Sequence, residues 1–584
     1  MHPYVLDPDE SDRQAYTLDR LYNAGLGRIS QGLSPVAISL ATFDWAVHLA
    51  SHPGKQVALA DQAARNLMSF QSYAISRMAG TCEQPCIQPW PNDDRFAAEE
   101  WQTWPYDLLS QGFLLTQQWW HDATTGVRGV TQHHEEVVNF IGRQMLDLYS
   151  PSNYLATNPE VLARTLQEGG ANLARGMANA VEDVERYVTK KPPVGGEHWK
   201  VGENLAVTPG KVVYRNRIME LIQYEPTTKT VHPEPILIVP AWIMKYYILD
   251  LSPGKSMVEY LVSKGHTVFT ISWKNPGSED RDLGMSNYRR EGVMEALEAV
   301  TSIVPEQKVH GVGYCLGGTL LMLAAATMAR DGDERLASMT LLAAQADFTE
   351  PGELELFIDE SQVTFIEDMM WEKGYLDGSM MAGAFQLLRS KDLIYSRLIH
   401  DYMMGDRGKV IDLMAWNADL TRLPYRMHSE YLRWLFLNND FVEDRYDVGG
   451  QPIHIGDIQV PTFAIGTEKD HIAPWRSVFK INRFLPRADV TFALTTGGHN
   501  AGIVTPPGHP RRTFRILPRK ASDPYVSPDS FLDKAEQKQG SWWPDWQQWL
   551  REHSSNRGAP PSVGQSSGTY QPLADAPGTY VLQK

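Results

Sequence analysis

The sequence predicts an α/β fold, in which a mostly parallel β-sheet is covered by helices on both faces. After about residue 200, short and continuously apolar runs alternate with helix-like segments. Strands that are apolar at every position must be buried on both faces, and this pattern is typical of parallel sheets with helical crossovers. The six runs are residues 235–239, 267–271, 308–312, 339–343, 461–465 and 490–494.

The chain divides into segments that differ in periodicity and composition. Residues 1–200 show helical periodicity and end in a Pro/Gly-rich stretch, which predicts a mostly helical N-terminal region. Residues 201–554 hold the six apolar runs and form the predicted catalytic domain. Within it, residues 349–458 are too long for a loop and predict an inserted helical cap over the sheet. Residues 555–584 are rich in Gly, Pro and Ser and predict a low-complexity tail without a core of its own.

Composition excludes several classes of function. The chain has 584 residues and a formal net charge of -16, which argues against a nucleic-acid partner because phosphate binding needs a basic face. The acidic start does not resemble a signal peptide. The sequence contains no run of about 18 apolar residues, so we expect no transmembrane helix. Three cysteines are too few for a disulfide framework. We therefore expect a cytoplasmic protein.

The candidate nucleophile is Cys315, at the end of the third apolar run. Residues 313–318 read GYCLGG and are followed by a helix-like segment. Glycines on both sides of a nucleophile are typical of the sharp strand-to-helix turn of α/β-hydrolases, where a side chain would collide with the backbone. The turn places the sulfur at a helix N-terminus, whose partial positive charge favours a thiolate. A buried, inert cysteine is the competing interpretation.

The other candidate catalytic residues follow in the chain order that an α/β-hydrolase requires. Asp470 comes just after the fifth apolar run, and His499 just after the sixth. We interpret Asp470 as the supporting acid and His499 as the base, although an exposed aspartate or a structural histidine could stand at either position. His471, beside Asp470, is a weaker candidate for a supporting role.

Two clusters of possible metal ligands are interpreted as structural. Cys82 and Cys86 have a proline between them and no second ligand pair nearby, so their spacing does not indicate a metal site. His133 and His134 precede two glutamates without the spacing of a helical zinc motif. The sequence therefore predicts no metal.

A set of motifs, in order between about residues 200 and 550, resembles the polyhydroxyalkanoate synthase family, with a shorter match before them in GLSPVAISLATFDWAVHLASHPGKQ. The motifs are VGENLAVTPGKVVYRNRIMELIQYEP, KYYILDLSP, SWKNP, GYCLGGTL, LRSKDLIY, WNADLTRLPYRMHSEYL, GTEKDHIAPW, GGHNAG and GSWWPDW.

This resemblance implies an acyltransferase that polymerises (R)-3-hydroxyacyl-coenzyme A thioesters into polyester, with release of coenzyme A and no bound cofactor. It assigns the same three residues, Cys315, Asp470 and His499, to catalysis. Its implied partners are the growing polyester chain and the surface of polyester granules. GYCLGGTL is more similar to the short-chain (class I) branch than to the medium-chain branch.

The chain departs from the family pattern after the first apolar run. Where the family commonly reads Pro-Pro-x-Ile-Asn-Lys, residues 240–245 read PAWIMK. In α/β-hydrolases this loop supplies one backbone amide of the oxyanion hole, and the residue after the nucleophile supplies the other. The second amide is therefore predicted at Leu316, and the first at Ala241 or Trp242, because a backbone donor survives a change of side chain.

Several alternatives stay open from the sequence. A thioesterase or polyester depolymerase would use the same scaffold, and a non-catalytic granule coat protein is a different class that would not need Cys315, Asp470 and His499. Asp470 could orient His499 or act directly on the hydroxyl nucleophile. The oligomeric state is also open, and a homodimer is one arrangement that the sequence allows.

Overall fold

The computed structural model describes residues 12–584, except 31, 82, 83, 92 and 190. The helices are α1 (Asp12–Ser30), α2 (Pro35–Ala50), α3 (Pro53–Met78), α4 (Tyr106–Thr124), α5 (Gln132–Leu148), α6 (Pro159–Gln167), α7 (Ala171–Val188), α8 (Met257–Ser263), α9 (Met285–Asn287), α10 (Glu295–Ile303), α11 (Leu316–Asp331), α12 (Glu360–Lys373), α13 (Gly378–Leu388), α14 (Asp412–Asn417), α15 (Tyr425–Glu430), α16 (Trp475–Phe479), α17 (Ile481–Phe484), α18 (Pro528–Lys534) and α19 (Trp543–Glu552). The strands are β1 (Gly210–Arg215), β2 (Met219–Tyr224), β3 (Ile236–Val239), β4 (Val268–Trp273), β5 (Val309–Tyr314), β6 (Leu336–Leu342), β7 (Tyr375–Leu376), β8 (Leu423–Pro424), β9 (Thr462–Thr467), β10 (Val490–Thr495), β11 (Thr513–Arg519), β12 (Glu536–Gln539) and β13 (Ala574–Asp575).

Contacts group the chain into two compact units. The sheet unit contains the chain up to Gly32 together with His198–Ala382 and Ile411–Lys584. The helical unit contains Leu33–Glu197 and Gly383–Val410. The division therefore places a boundary near residue 200 but does not follow the sequence segments throughout, because α1 belongs to the sheet unit and part of the insert belongs to the helical unit.

The sheet unit has the predicted α/β fold. Within the described chain its main sheet has eleven strands in the order β12-β11-β10-β9-β6-β5-β3-β4-β2-β1-β13. The parallel strands at its centre, from β4 to β10, correspond to the six apolar runs, so that prediction is confirmed. Antiparallel strands complete both edges. Because β5, β9 and β10 are parallel, their carboxyl ends lie at the same edge of the sheet.

The insert between β6 and β9 is helical, and its two parts pack differently. In the sheet unit, α12 packs against α1, where Asn23 donates to Asp368 over 2.7 Å. In the helical unit, α7 packs closely against residues 398–403. A Cβ at Gly176 would lie 1.8 Å from the carbonyl oxygen of Tyr402, so only glycine permits this approach.

The C-terminal residues 555–584 pack along the sheet unit instead of forming a separate element. β13 adds to β1 at the edge of the sheet. Glu220 lies buried on β2, and its carboxylate accepts hydrogen bonds from the backbone amides of Thr579 and Tyr580. Buried carboxylates need such partners, so this segment is held by polar contacts with β2, which apolar patterning does not reveal.

Two helices of the helical unit present apolar faces to solvent. Exposed apolar side chains recur at helical spacing on α2, at Val36, Leu40, Phe43 and Val47, and on α7, at Met177, Val181, Val184 and Val188. In the described chain no single helix has the length and apolarity to cross a membrane, while the consecutive helices Tyr16–Ser30 and Pro35–Ala50 meet those criteria only when taken together.

A buried histidine on β5 makes the stability of the sheet unit dependent on pH. Nδ1 of His310 lies 2.7 Å from Ser338 Oγ, and Nε2 lies 3.0 Å from Ser554 Oγ. Burial lowers the pKa of His310 to about 4. Because the unfolded chain then binds the proton more strongly, the stability due to neutral His310 is complete above about pH 6.5 and is lost as the pH falls toward 4.

We expect the unfolding free energy of the wild-type protein to fall by about 2 kcal/mol, owing to His310, when the pH is lowered from about 7 to about 5. Urea unfolding at the two pH values measures this change. The His310→Asn variant keeps a polar group beside Ser338 but does not titrate, so its loss should be smaller by that amount. Equal losses in both proteins would contradict the assignment.

Candidate active site

Cys315 occupies a strained turn between β5 and α11. Its backbone has φ 51° and ψ −125°, a left-handed conformation that is rare outside glycine. The flanking glycines make the turn possible. A Cβ at Gly313 would lie 2.3 Å from the Cα of Gly318, and a Cβ at Gly317 would lie 2.1 Å from the carbonyl oxygen of Val239. The predicted strand–turn–helix geometry is therefore present at Cys315.

His499 and Asp470 lie at the same edge of the sheet, in the loops after β10 and β9. His499 Nδ1 is 2.8 Å from Asp470 Oδ2, and the charge of Cys315 also acts on the His499 ring. The second carboxylate oxygen of Asp470 accepts from the backbone amides of Ile472 and Ala473 over 3.0 and 2.8 Å. The structure thus brings together all three residues predicted as catalytic.

The charges of the three side chains support one another. Burial lowers the pKa of His499, but the charges of Asp470 and Cys315 outweigh this effect and hold that pKa well above its usual range. Burial raises the pKa of Asp470, whereas His499 and two backbone amides lower it, and the net result lies below the usual value. The imidazole can therefore accept a proton from the thiol, with an ionised carboxylate behind it.

The predicted oxyanion amides lie beside the nucleophile. Leu316 is the first residue of α11, and the loop that carries Ala241 and Trp242 follows β3, next to the elbow. Among the described residues, none of these three backbone amides donates to another group. The side chain of Trp273 fixes the loop by donating from Nε1 to the carbonyl oxygen of Pro240 over 2.8 Å. The loop after β3 and the start of α11 therefore both carry backbone amides without an acceptor among the described residues.

Part of the insert lies beside the nucleophile. Tyr431 is buried in the apolar cluster against which Cys315 packs, and its burial together with the charge of Cys315 raises its pKa. Its ring also contacts the rings of Trp242 at 5.9 Å and Phe348 at 6.3 Å. Cys315 itself is neither fully buried nor exposed. An apolar, aromatic wall therefore borders the nucleophile.

Some residues that hold the site were not identified from the sequence. The Tyr314 hydroxyl donates to Asn500 Oδ1 over 2.5 Å and so ties the elbow to the loop of His499. Trp542 and Trp543 donate from Nε1 to the carbonyl oxygens of Gly502 and Ile503 in that same loop. These residues stand in the motifs GYC, GGHN and GSWWPDW, which is the signal that the sequence offered for them. No sequence pattern indicates which of them form hydrogen bonds with each other.

The weaker candidates from the sequence are His471, which forms a backbone hydrogen bond, and His134 and Cys86, which lie in the helical unit. The carbonyl oxygen of His471 accepts from the amide of Glu353, at the start of the insert. His134 Nδ1 lies 2.7 Å from Asp44 Oδ2 in the helical unit, and Cys86 donates to Gln111 Oε1. Cys82 lies outside the described residues. No group of three or more His, Cys, Asp or Glu within the described chain is arranged to hold a metal ion.

Family models match most of the chain. The model described as the N-terminus of poly-beta-hydroxybutyrate polymerase (PhaC) matches residues 92–261, and a second N-terminal model of that polymerase matches residues 13–55. The model of the alpha/beta hydrolase fold matches residues 234–506, in agreement with the sheet and elbow described above.

Curated relatives extend over nearly the whole chain. A poly(3-hydroxyalkanoate) polymerase of Methylorubrum extorquens is 40% identical over 91% of this chain and 87% of its own length. The chain belongs to the poly(3-hydroxyalkanoate) polymerase family. Polymerase subunits from Rhizobium meliloti and Cupriavidus necator are 37% and 35% identical, over 87% and 84% of this chain and 83% of each of their own lengths. The predicted family and an enzymatic function are thereby confirmed.

Solved structures match about half of this polymerase, with low sequence identity and low TM-scores. A monoacylglycerol lipase of Paleococcus ferrophilus is 12% identical, covers 57% of this chain and 99% of its own, and has a TM-score of 0.32. A thioesterase domain from the curacin biosynthetic pathway is 14% identical, covers 50% and 94%, and has a TM-score of 0.29.

We expect Gly317→Ala to destabilise this polymerase by about 1–3 kcal/mol, because its Cβ would overlap the carbonyl oxygen of Val239 and force β3 and the elbow apart. Urea unfolding measures the change. Gly25→Ala is the matched control, since no atom lies within 4 Å of its Cβ and alanine favours the helix α1. Equal stability of the two variants would contradict the packing argument.

Proposed function

We propose that this enzyme polymerises (R)-3-hydroxyacyl-coenzyme A thioesters into polyhydroxyalkanoate and releases coenzyme A, through an acyl group bound covalently to Cys315. The observation that carries the proposal is that Cys315, on its strained turn, and the hydrogen-bonded pair His499–Asp470 lie together at one edge of the sheet in a member of this polymerase family. The three side chains provide a nucleophile and its base, so the reaction requires no bound cofactor.

In the first step His499 takes the thiol proton, and the thiolate attacks the thioester carbonyl. The tetrahedral oxyanion is held by the backbone amide of Leu316 and by that of Ala241 or Trp242. Coenzyme A leaves as its thiol after receiving the proton from His499. One thioester replaces another, so the acyl group remains activated for ester formation.

In the second step the 3-hydroxyl of a hydroxyacyl group attacks the acyl–Cys315 carbonyl. The hydroxyl loses its proton, an ester bond forms, and the Cys315 thiolate is released and reprotonated. Either His499, oriented by Asp470, or Asp470 itself removes the hydroxyl proton. The hydrogen bond between them favours the first role for Asp470, because it fixes the tautomer and orientation of the imidazole. His471 belongs to the same loop and serves as a supporting residue.

Exclusion of water distinguishes this reaction from hydrolysis on the same scaffold. Tyr431 and the rings around it form an apolar wall beside Cys315. We interpret the insert as the cover that keeps water from the acyl-enzyme while the hydroxyl nucleophile enters. A thioesterase or depolymerase would instead have to admit water at this place.

We further propose that the enzyme acts in the cytoplasm at the surface of polyester granules and prefers short-chain monomers. The exposed apolar faces of α2 and α7 are suited to a hydrophobic polymer surface, although a second copy of the chain in a homodimer would cover such faces as well. The preference for short side chains follows from the similarity of GYCLGGTL to the short-chain branch.

We expect Cys315→Ala to abolish coenzyme A release from 3-hydroxybutyryl-coenzyme A and to leave the fold intact, because no other group at the site can form the acyl-enzyme. The assay follows free thiol and polymer together, and circular dichroism checks the fold. Cys86→Ala is the matched control and should retain activity, since this thiol lies in the helical unit. Normal turnover by folded Cys315→Ala would refute the proposed function, and release of free hydroxy acids in place of polymer by the wild type would favour the thioesterase.

The roles of His499 and Asp470 can be separated by single-turnover release of coenzyme A. His499→Ala should suppress the first release by several orders of magnitude, because the thiol loses its base. If Asp470 serves mainly the hydroxyl nucleophile, Asp470→Asn should give a normal first burst and then stall before elongation. If it serves mainly to orient His499, the burst should fall steeply in both variants. An undiminished burst in His499→Ala would exclude it as the base for acylation.

A further inference from the structure

Two of the buried polar atoms that have no hydrogen-bond partner among the described residues lie on the loop after β3 and on α15. They are Nε1 of Trp242 and Nδ1 of His428. Trp242 is 2% exposed and His428 is 7% exposed, so neither side chain is solvated as it would be at the surface. A buried polar group without a partner costs free energy, and such groups are rare in folded proteins. Their position therefore requires an explanation.

Nearby tryptophans of the sheet unit do not share this feature. Nε1 of Trp273 donates to the carbonyl oxygen of Pro240, and Nε1 of Trp416 donates to that of Lys245 over 2.7 Å. Both acceptors lie in the same loop as Trp242. The loop thus satisfies the indole groups that pack against it and leaves its own indole unpaired.

Trp242 and His428 are joined through one ring at the active site. The Tyr431 ring lies 5.9 Å from the Trp242 ring and 6.1 Å from the His428 ring. Cys315 packs against the apolar cluster that contains Tyr431 and Trp242, and a Cβ at Gly317 beside it would lie 2.6 Å from Pro240 in the loop of Trp242. The two unpaired nitrogens consequently belong to the aromatic wall beside the nucleophile, one on the oxyanion loop and the other on α15 of the insert.

The chemistry of the two atoms specifies the group they would bind. The indole N–H can only donate a hydrogen bond, whereas a neutral imidazole nitrogen can accept one. Burial lowers the pKa of His428 to about 4, which keeps the ring neutral near pH 7. A hydroxyl group both accepts and donates, so it can pair with either kind of nitrogen. A carbonyl oxygen accepts only, and a methylene group does neither.

We propose that Trp242 Nε1 and His428 Nδ1 bind the 3-hydroxyl of the acyl group and so select hydroxyacyl thioesters over their unsubstituted analogues. The inference rests on the proposed function and adds a specificity site to it. The position is suitable, because the 3-hydroxyl is only two carbons from the thioester carbonyl and Trp242 lies on the loop expected to hold the oxyanion.

Single-turnover release of coenzyme A from 3-hydroxybutyryl-coenzyme A and from butyryl-coenzyme A tests the proposal. Both thioesters can acylate Cys315, and they differ only in the hydroxyl. We expect the wild type to favour the hydroxyacyl thioester by about tenfold or more, because a site built to pair with a hydroxyl is left unpaired by the analogue. Trp242→Phe and His428→Phe should each lower this preference to about threefold or less.

His428→Asn provides rescue, because the asparagine amide can occupy the place of Nδ1. It should recover much of the preference that His428→Phe loses. Phe348→Leu is the matched control: Phe348 contacts Tyr431 in the same wall but has no polar atom. It should slow both thioesters by a similar factor and keep their ratio.

The outcomes separate this inference from the function on which it rests. A wild type that reacts equally with both thioesters, or Trp242→Phe and His428→Phe variants that keep the wild-type ratio, would overturn the hydroxyl site and leave the polymerase assignment intact. A wild type that releases no coenzyme A from either thioester would overturn the proposed function itself.

Discussion

The close backbone contact at the turn after β5 is the constraint on which the active site depends. Cys315 keeps a left-handed conformation only because Gly313, Gly317 and Gly318 let the first turn of α11 rest against β3 and β5. That contact places the sulfur at the helix N-terminus, the Leu316 amide beside it and the loop after β3 within reach. A single methyl group at Gly317 would separate these parts.

The parallel sheet brings the other two catalytic candidates to the turn of Cys315. β5, β9 and β10 end at one edge, so residues 155 and 184 positions apart from Cys315 along the chain, Asp470 and His499, become neighbours. The loops are joined to each other as well, since the amide of Lys469 donates to the carbonyl oxygen of Gly497. Burial then strengthens the charge interactions between the three side chains, because little water remains to screen them.

We interpret the insert as the part of the chain that selects between hydrolysis and acyl transfer. The same nucleophile, base and acid could hydrolyse a thioester or transfer its acyl group, and the difference lies in which nucleophile reaches the acyl-enzyme. Aromatic side chains from the loop after β3, the loop after β6 and residues 425–437 form the wall beside Cys315. Within that wall, the unpaired nitrogens of Trp242 and His428 are suited to a hydroxyl-bearing substrate, which a uniformly apolar wall would not distinguish.

The sequence by itself determined the fold class, the central strands and the candidates Cys315, Asp470 and His499. The strands are indicated by local apolar runs. The catalytic candidates are indicated by the glycines around Cys315 and by the order of the three residues along the chain. Only the tertiary structure decided how β2 buries Glu220, which C-terminal residues satisfy it, and how Tyr314 and Trp543 hold the loop of His499. Such features arise from pairs of polar groups far apart in the chain, and neither partner has a pattern of its own. The unpaired nitrogens of Trp242 and His428 belong to the same class, because the absence of a partner is a property of the folded state alone.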